Sequence, residues 1–189
     1  AAALDFVGAR LEQKQSFVDY LAAHASKPAR GQLHQAPWLM KPPLKLADSL
    51  GRERKPLLVL FEQKECAACD ELHTEAFTRP EVIALLRQFQ VARIDMASTS
   101  SVQTPTGETL RAREWVRKLG VFYTPTLVFF DAGGREVFRV DGYLRPFHLA
   151  SSLDYVASGA HLTQPEFQRF IEARAAARRA RGERVELMQ

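Results

Sequence analysis

Between Leu57 and Phe61 the chain runs LLVLF with no polar break, apolar on both alternating faces, as expected of a central strand covered on both sides. A second strand is predicted over Phe89 to Ile94. Thr126 to Phe130 and Arg135 to Val140 flank Asp131-Ala132-Gly133-Gly134, which reads as a β-hairpin. Helical patterns separate these runs: Leu46 to Leu50, a helix opening at the cysteines, and one introduced by Thr78-Arg79-Pro80-Glu81, where Thr78 and Glu81 have capping-box spacing. Two more are expected, Thr109 to Leu119 closed by Gly120, and Pro146 to Val156. Alternating strands and helices ending in a hairpin and a helix predict an α/β fold of three layers, a mixed central sheet with helices on both faces.

The ends read differently. Leu4, Val7, Leu11, Val18 and Leu21 recur at helical spacing and predict an amphipathic N-terminal helix. Pro37, Pro42 and Pro43 make Gly31 to Pro43 a linker. The expected organisation is therefore an N-terminal helix and linker over 1–43, a compact domain over 44–159 and a basic helical extension over 160–189. Residues 96–107, MASTSSVQTPTG, read as a long surface loop.

Composition changes this picture little. Of 189 residues, 46% are hydrophobic, enough for a core of ordinary size. The net charge of +4 equals that of residues 169–184, where Arg169, Arg174, Arg178, Arg179, Arg181 and Arg184 face only Glu172 and Glu183. No aromatic pattern interleaves with these arginines, so they read as a solvated helix face and no nucleic-acid partner is expected. No run approaches the roughly 20 apolar residues that cross a bilayer, so a membrane-spanning role is not expected. The chain opens with Ala1 rather than Met, which suggests removal of a leader or tag and leaves the compartment open.

Cys66 and Cys69 are the chain's two cysteines, separated by Ala67-Ala68. At a helix start, unpaired N–H groups stabilise the first sulfur as a thiolate, the attacking species. One turn on, Cys69 can attack the mixed disulfide and close a bond with Cys66. Alternatives stand beside this redox reading. His73 shares a helix face with Cys69, so a Cys66, Cys69, His73 metal site is one, although zinc usually takes four ligands. Haem attachment needs a histidine where Asp70 stands. A structural disulfide would close too short a loop to stabilise a domain much.

Val121-Phe122-Tyr123-Thr124-Pro125-Thr126 precedes an apolar strand downstream of the cysteines. With CxxC and a correctly ordered Thr-Pro, residues 44 to 159 resemble the thioredoxin superfamily. The strings FEQKECAACDELH and TPTLVFFDAGGREVFRVDGYLRPFHLASSLDYV look most like SoxW-type and related periplasmic thioredoxin-like proteins of bacteria. The resemblance implies a thiol-disulfide oxidoreductase with Cys66 as exposed attacking thiol and Cys69 as resolving thiol. It also implies Pro125 as a cis-proline facing them, and Thr124 offering backbone groups to an extended substrate chain. The redox-active pair serves in place of a cofactor, and no metal is expected.

Departures from the family pattern matter too. The usual buried aspartate is Leu60, the usual tryptophan before the first cysteine is Glu65, and the intervening Gly-Pro is Ala67-Ala68. Glu62 either replaces the aspartate or is a solvated strand-end charge, and the second reading is preferred. Glu62, Glu65, Asp70 and Glu71 surround the motif, with Lys64 the one nearby cation in sequence. Like charge disfavours a thiolate, which places the couple toward the reducing end of a scale from about −270 to about −120 mV. The expected role is donation of electrons to a protein disulfide, supplied by an upstream thiol partner such as a membrane carrier, in the periplasm, with the cytoplasm as the alternative. The competing class is a thioredoxin-fold binding or metal-holding module without turnover. Trp38, Trp115 and the Phe-rich strands are read as core or domain contacts.

Overall fold

The computed structural model describes residues 6–24, 28–53 and 55–185, without the side chains of 21–24 and 51–53. Its principal sheet has the order β2-β1-β5-β6, built from β1 (Leu57–Glu62), β2 (Gln90–Asp95), β5 (Thr126–Phe130) and β6 (Glu136–Asp141). β1 pairs parallel with β2 and antiparallel with β5, in the register Leu57↔Gln90 and Phe61↔Thr126. Every residue of β1 is buried, which is the physical meaning of its unbroken apolar run.

Helices cover both faces, and the alternation of strand side chains decides which residue meets which layer. Leu58, Leu60, Leu127 and Phe129 pack against α3 (Ala67–Glu71, continued by a π-helical turn, Leu72–Ala76), α4 (Pro80–Leu86) and α6 (Pro146–Ala157). Leu57, Val59, Phe61 and Val128 pack on the other side against α2 (Leu46–Glu53) and α5 (Ala112–Lys118), where Trp115 meets Phe61 edge-on at 5.4 Å. The mixed sheet with helices on both faces is as expected, and Trp115 is core.

Several local expectations are corrected. The 96–107 stretch is not an open loop: Ser101–Gln103 (β3) pairs antiparallel with Thr109–Arg111 (β4), and Val102 and Thr104 are buried. β4 therefore takes the first residues assigned to the helix that begins at Ala112. Gly134, at φ 80°, helps to seat this segment, since a Cβ there would stand 2.6 Å from the carbonyl oxygen of Pro105. The Thr78–Glu81 capping box is absent. Arg79 is the N-cap, Thr78 Oγ1 bonds back to the carbonyls of Thr74 and Glu75, and Glu81 is drawn away by arginines from the C-terminal helix.

The N-terminal helix is also broken. A helical turn at 6–8 and a 3-10 turn (Leu11–Gln13) precede α1 (Phe17–His24), and Arg10 between them has φ 52°. That interruption resets the helical phase. Phe6 and Tyr20 are the buried pair, with ring centroids 5.1 Å apart, while Val7 and Val18 of the expected apolar stripe are 65% and 74% exposed. Leu4 and the side chain of Leu21 lie outside the described residues. The 31–43 stretch is not a free linker, because Leu39 bridges to Val91 and the Met40 N–H donates to the Val91 carbonyl at 2.8 Å, covering the open edge of β2.

At the other end, α7 (Phe167–Ala180) docks by Ile171 and Ala175 against Phe147. The arginine face is not simply solvated. Arg174 bonds both Asp154 and Glu81, and Arg178 bonds Glu81 and Glu183. No helix among the described residues is long and apolar enough to cross a membrane.

Candidate active site: the Cys66–Cys69 disulfide

The C-terminal end of β1 delivers the chain into Gln63-Lys64-Glu65 and then Cys66, which is the N-cap of α3. Its backbone is extended at φ −132°, and its Sγ accepts the Cys69 N–H at 3.1 Å. An N-cap normally presents an oxygen to these donors; here sulfur does so, in the position where donor groups favour a thiolate. Cys66 and Cys69 form a disulfide with an S–S distance of 2.07 Å. Cys66 is not the exposed residue that was expected. It retains 6% exposure and Cys69 3%, because Sγ of Cys66 turns inward to its partner sulfur and to the Cys69 N–H.

Thr126 pairs with Phe61, so the start of β5 adjoins the end of β1 that leads to the cysteines. Pro125 is therefore brought to this end of the sheet, and its peptide bond with Thr124 is cis. Thr124 is half-buried and Pro125 buried. Thr126 Oγ1 donates to the Tyr123 carbonyl and to Asp141, each at 3.0 Å, which fixes the turn. The preceding Phe122 and Tyr123 are 78% and 67% exposed, large aromatic surfaces beside the turn.

The acidic residues divide into distinct environments. Glu65 is exposed. Glu62 is not a solvated strand-end charge: it is 1% exposed and its Oε1 lies 2.7 Å from Nε2 of His73, itself 92% buried. Burial of this carboxyl is tolerated because the imidazole satisfies it. His73, considered as a metal ligand, is thus engaged with Glu62 and stacks on His34 at 4.4 Å and 6°. No cluster of metal-ligating side chains occurs among the described residues.

Asp70 is claimed by the N-terminal segment. The Arg30 N–H donates to its Oδ2 at 2.8 Å and His34 Nε2 contacts its Oδ1 at 2.7 Å. The cation supply near the motif is therefore not limited to Lys64. Burial lowers the pKa of His34, assisted by charge on His73 and Arg30 and opposed by the bond to Asp70. Tyr143 meets Glu71 of α3, and burial together with the charge and hydrogen bond of that residue pushes it up to about 12. Arg30, His34 and Tyr143 carried no sequence signal, since they lie 40 and 36 residues from Asp70 and 72 from Glu71. The i,i+4 spacing of Cys69 and His73 was visible, but its partner Glu62 was not.

Residues 45–157 match the thioredoxin-like domain family, and the chain belongs to it. Among curated proteins, the thiol:disulfide interchange protein DsbD of Tatumella citrea is 32% identical over 81 residues, 42% of this chain. The aligned part is 12% of that relative's length. Among solved structures, a thioredoxin-fold protein from Helicobacter pylori aligns with a TM-score of 0.60 at 14% identity, over 76% of this chain and 92% of that one. The reduced C-terminal domain of DsbD from Neisseria meningitidis aligns with a TM-score of 0.47 at 15% identity, over 58% and 88%. The first of these likenesses establishes the fold.

Proposed function

We propose that the protein is a thiol-disulfide oxidoreductase that reduces protein disulfides through a Cys66/Cys69 dithiol cycle. The observation that carries this reading is the disulfide closed at the N-cap of α3, at the sheet end where Pro125 also lies. In the reduced protein the Cys66 thiolate attacks a substrate disulfide. A Cys66–substrate bond forms, and the substrate's other sulfur leaves as a thiolate that takes up a proton. Cys69 then loses its proton and attacks Cys66 Sγ, the mixed disulfide breaks, and the second substrate thiol is released. Two electrons pass to the substrate and the protein returns to the disulfide state.

Thr124 offers backbone groups to an extended substrate chain, and the exposed Phe122 and Tyr123 give that chain an apolar surface. The reducing direction rests on Glu65 and Glu71, exposed acids near the motif. A couple near −270 mV in titration against glutathione supports it, and one near −120 mV contradicts it. The likeness to a thiol:disulfide interchange protein supports an upstream thiol donor, which we assign to a membrane carrier in the periplasm. The SoxW-type strings suggest a sulfur-oxidation setting, with a protein disulfide as the substrate.

Insulin reduction by dithiothreitol tests the function. The protein is expected to accelerate precipitation, and Cys66→Ser to return it to the uncatalysed rate. Equal rates for the two proteins would favour a binding module without turnover.

A further inference from the structure

We propose that the N-terminal segment is a working part of the redox site, in which Arg30 and His34 oppose the charge of Asp70 and so reduce the electrostatic cost of the Cys66 thiolate. This deepens the function proposed above and rests on it. The Asp70 N–H donates to the Cys66 carbonyl at 3.1 Å, which puts the aspartate one turn, about 5.4 Å, into the helix that Cys66 caps. An unopposed carboxylate at that range disfavours a second negative charge. This carboxylate is opposed from a stretch of chain 36 and 40 residues away in sequence.

The contacts have a defined polarity. Nη1 of Arg30 stands 3.0 Å from His34 Nδ1 and 3.2 Å from Nε2, and Nε2 in turn lies 2.7 Å from Asp70 Oδ1. A guanidinium has only donors, so Nδ1 accepts and the ring is neutral, with its one proton on Nε2 directed at the carboxylate. The lowered pKa of His34 agrees with a neutral ring. The Arg30 N–H fills the second carboxylate oxygen at 2.8 Å. The guanidinium thereby polarises the His34 N–H toward Asp70 without a proton having to bind His34.

The segment is held in place by more than this relay. The His34 ring stacks on His73, which Glu62 anchors from β1, and Trp38 packs on His73 and Phe77. Other charged groups around the motif are Lys64 and Glu65, exposed on the approach to Cys66, and Glu71, paired with Tyr143 on the outer flank. These remain in every variant below, so differences among the variants isolate the relay.

The test is the pH profile of iodoacetamide alkylation of Cys66, measured in a Cys69→Ser background so that one thiol reports. Arg30→Gln is expected to move the profile to higher pH and slow alkylation about threefold at neutral pH. Asp70→Asn is expected to move it to lower pH, and Arg30→Lys to stay close to the parent. In Arg30→Gln/Asp70→Asn the Arg30 effect should largely vanish, because it acts through the carboxylate. Should Arg30→Gln release the segment, the same upward movement is expected, since Asp70 then stands unopposed.

Coincident profiles for the parent, Arg30→Gln and Asp70→Asn overturn the inference, as does an Arg30 effect of equal size with and without the Asp70 charge. A purely structural role would change melting temperature and leave the profile still. Failure of the function would look different: Cys66 of the parent would resist alkylation at every pH, and the protein with both cysteines would give no insulin turnover, which overturns both. Normal turnover with coincident profiles removes only the relay.

Discussion

The described segments before and after the thioredoxin-like domain both fold back onto it through charged contacts, yet they land on different elements. The N-terminal segment brings Arg30 and His34 to Asp70 on the helix that begins at Cys66. The C-terminal helix brings Arg174 and Arg178 to Glu81 on α4, and Arg174 to Asp154 on α6. Similar charge-assisted contacts therefore serve two ends: one grips the helix that the Cys66–Cys69 disulfide opens, and the other fastens an appendage to two helices of the same sheet face. The comparison teaches that a charge pair's consequence depends on the element it grips.

The largest effect is expected beneath the N-terminal segment. Replacing either member of the buried Glu62–His73 pair with leucine strands its partner, and should cost about 3–5 kcal/mol in urea unfolding. The double replacement should cost less than the sum of the singles. An additive pair would mean that the two groups are not coupled and that the segment's floor is ordinary packing.

Next comes the C-terminal clamp. Arg174→Met removes bonds to Asp154 and Glu81 and should lower stability by about 1–2 kcal/mol while leaving insulin reduction at the parent rate. A slowing of Cys66 alkylation matching that of Arg30→Gln would erase the contrast between the two ends.

Acid should loosen the same clamp. Burial pushes the Glu81 carboxyl up, but the hydrogen bonds and charges of Arg174 and Arg178 outweigh it and hold the group below its ordinary range. A depressed carboxylate contributes stability that is present above its unfolded value, about 4.3, and is lost as pH falls through the folded value. Thermal melts from neutral pH down to about pH 3 should show this loss in the parent and less of it in Glu81→Gln.

The smallest effect concerns the flank of the redox helix. Tyr143 is raised, so its contribution is complete below the ordinary tyrosine range and fades as pH rises from about 10 toward about 12. Ultraviolet titration should show late phenolate absorbance that Tyr143→Phe reduces, the rest belonging to Tyr155, which burial also raises.

The sheet was legible because strand burial writes itself into short apolar runs: LLVLF and TLVFF lie where their pattern puts them. The cysteines and Pro125 were legible for the same local reason, being marked by spacing and order along the chain. What could not be read was contact across distance. Glu62 looked like a strand-end charge until His73 covered it, and Thr78–Glu81 looked like a cap until Arg174 and Arg178 took the glutamate. The Asp95–Glu108 stretch hid a hairpin because strands of three residues are too short to show an alternation. The N-terminal stripe failed for another reason, since one residue of positive φ at Arg10 puts the positions on either side out of phase.

The central claim is that Cys66 is the attacking sulfur and Cys69 the one that releases the partner. Its most direct measurement is adduct trapping: reduced Cys69→Ser protein is mixed with a disulfide-linked peptide and its intact mass recorded. The account predicts a peptide adduct at position 66 that dithiothreitol removes, and none in Cys66→Ser. Equal labelling of the two variants, or no adduct in either, would contradict it.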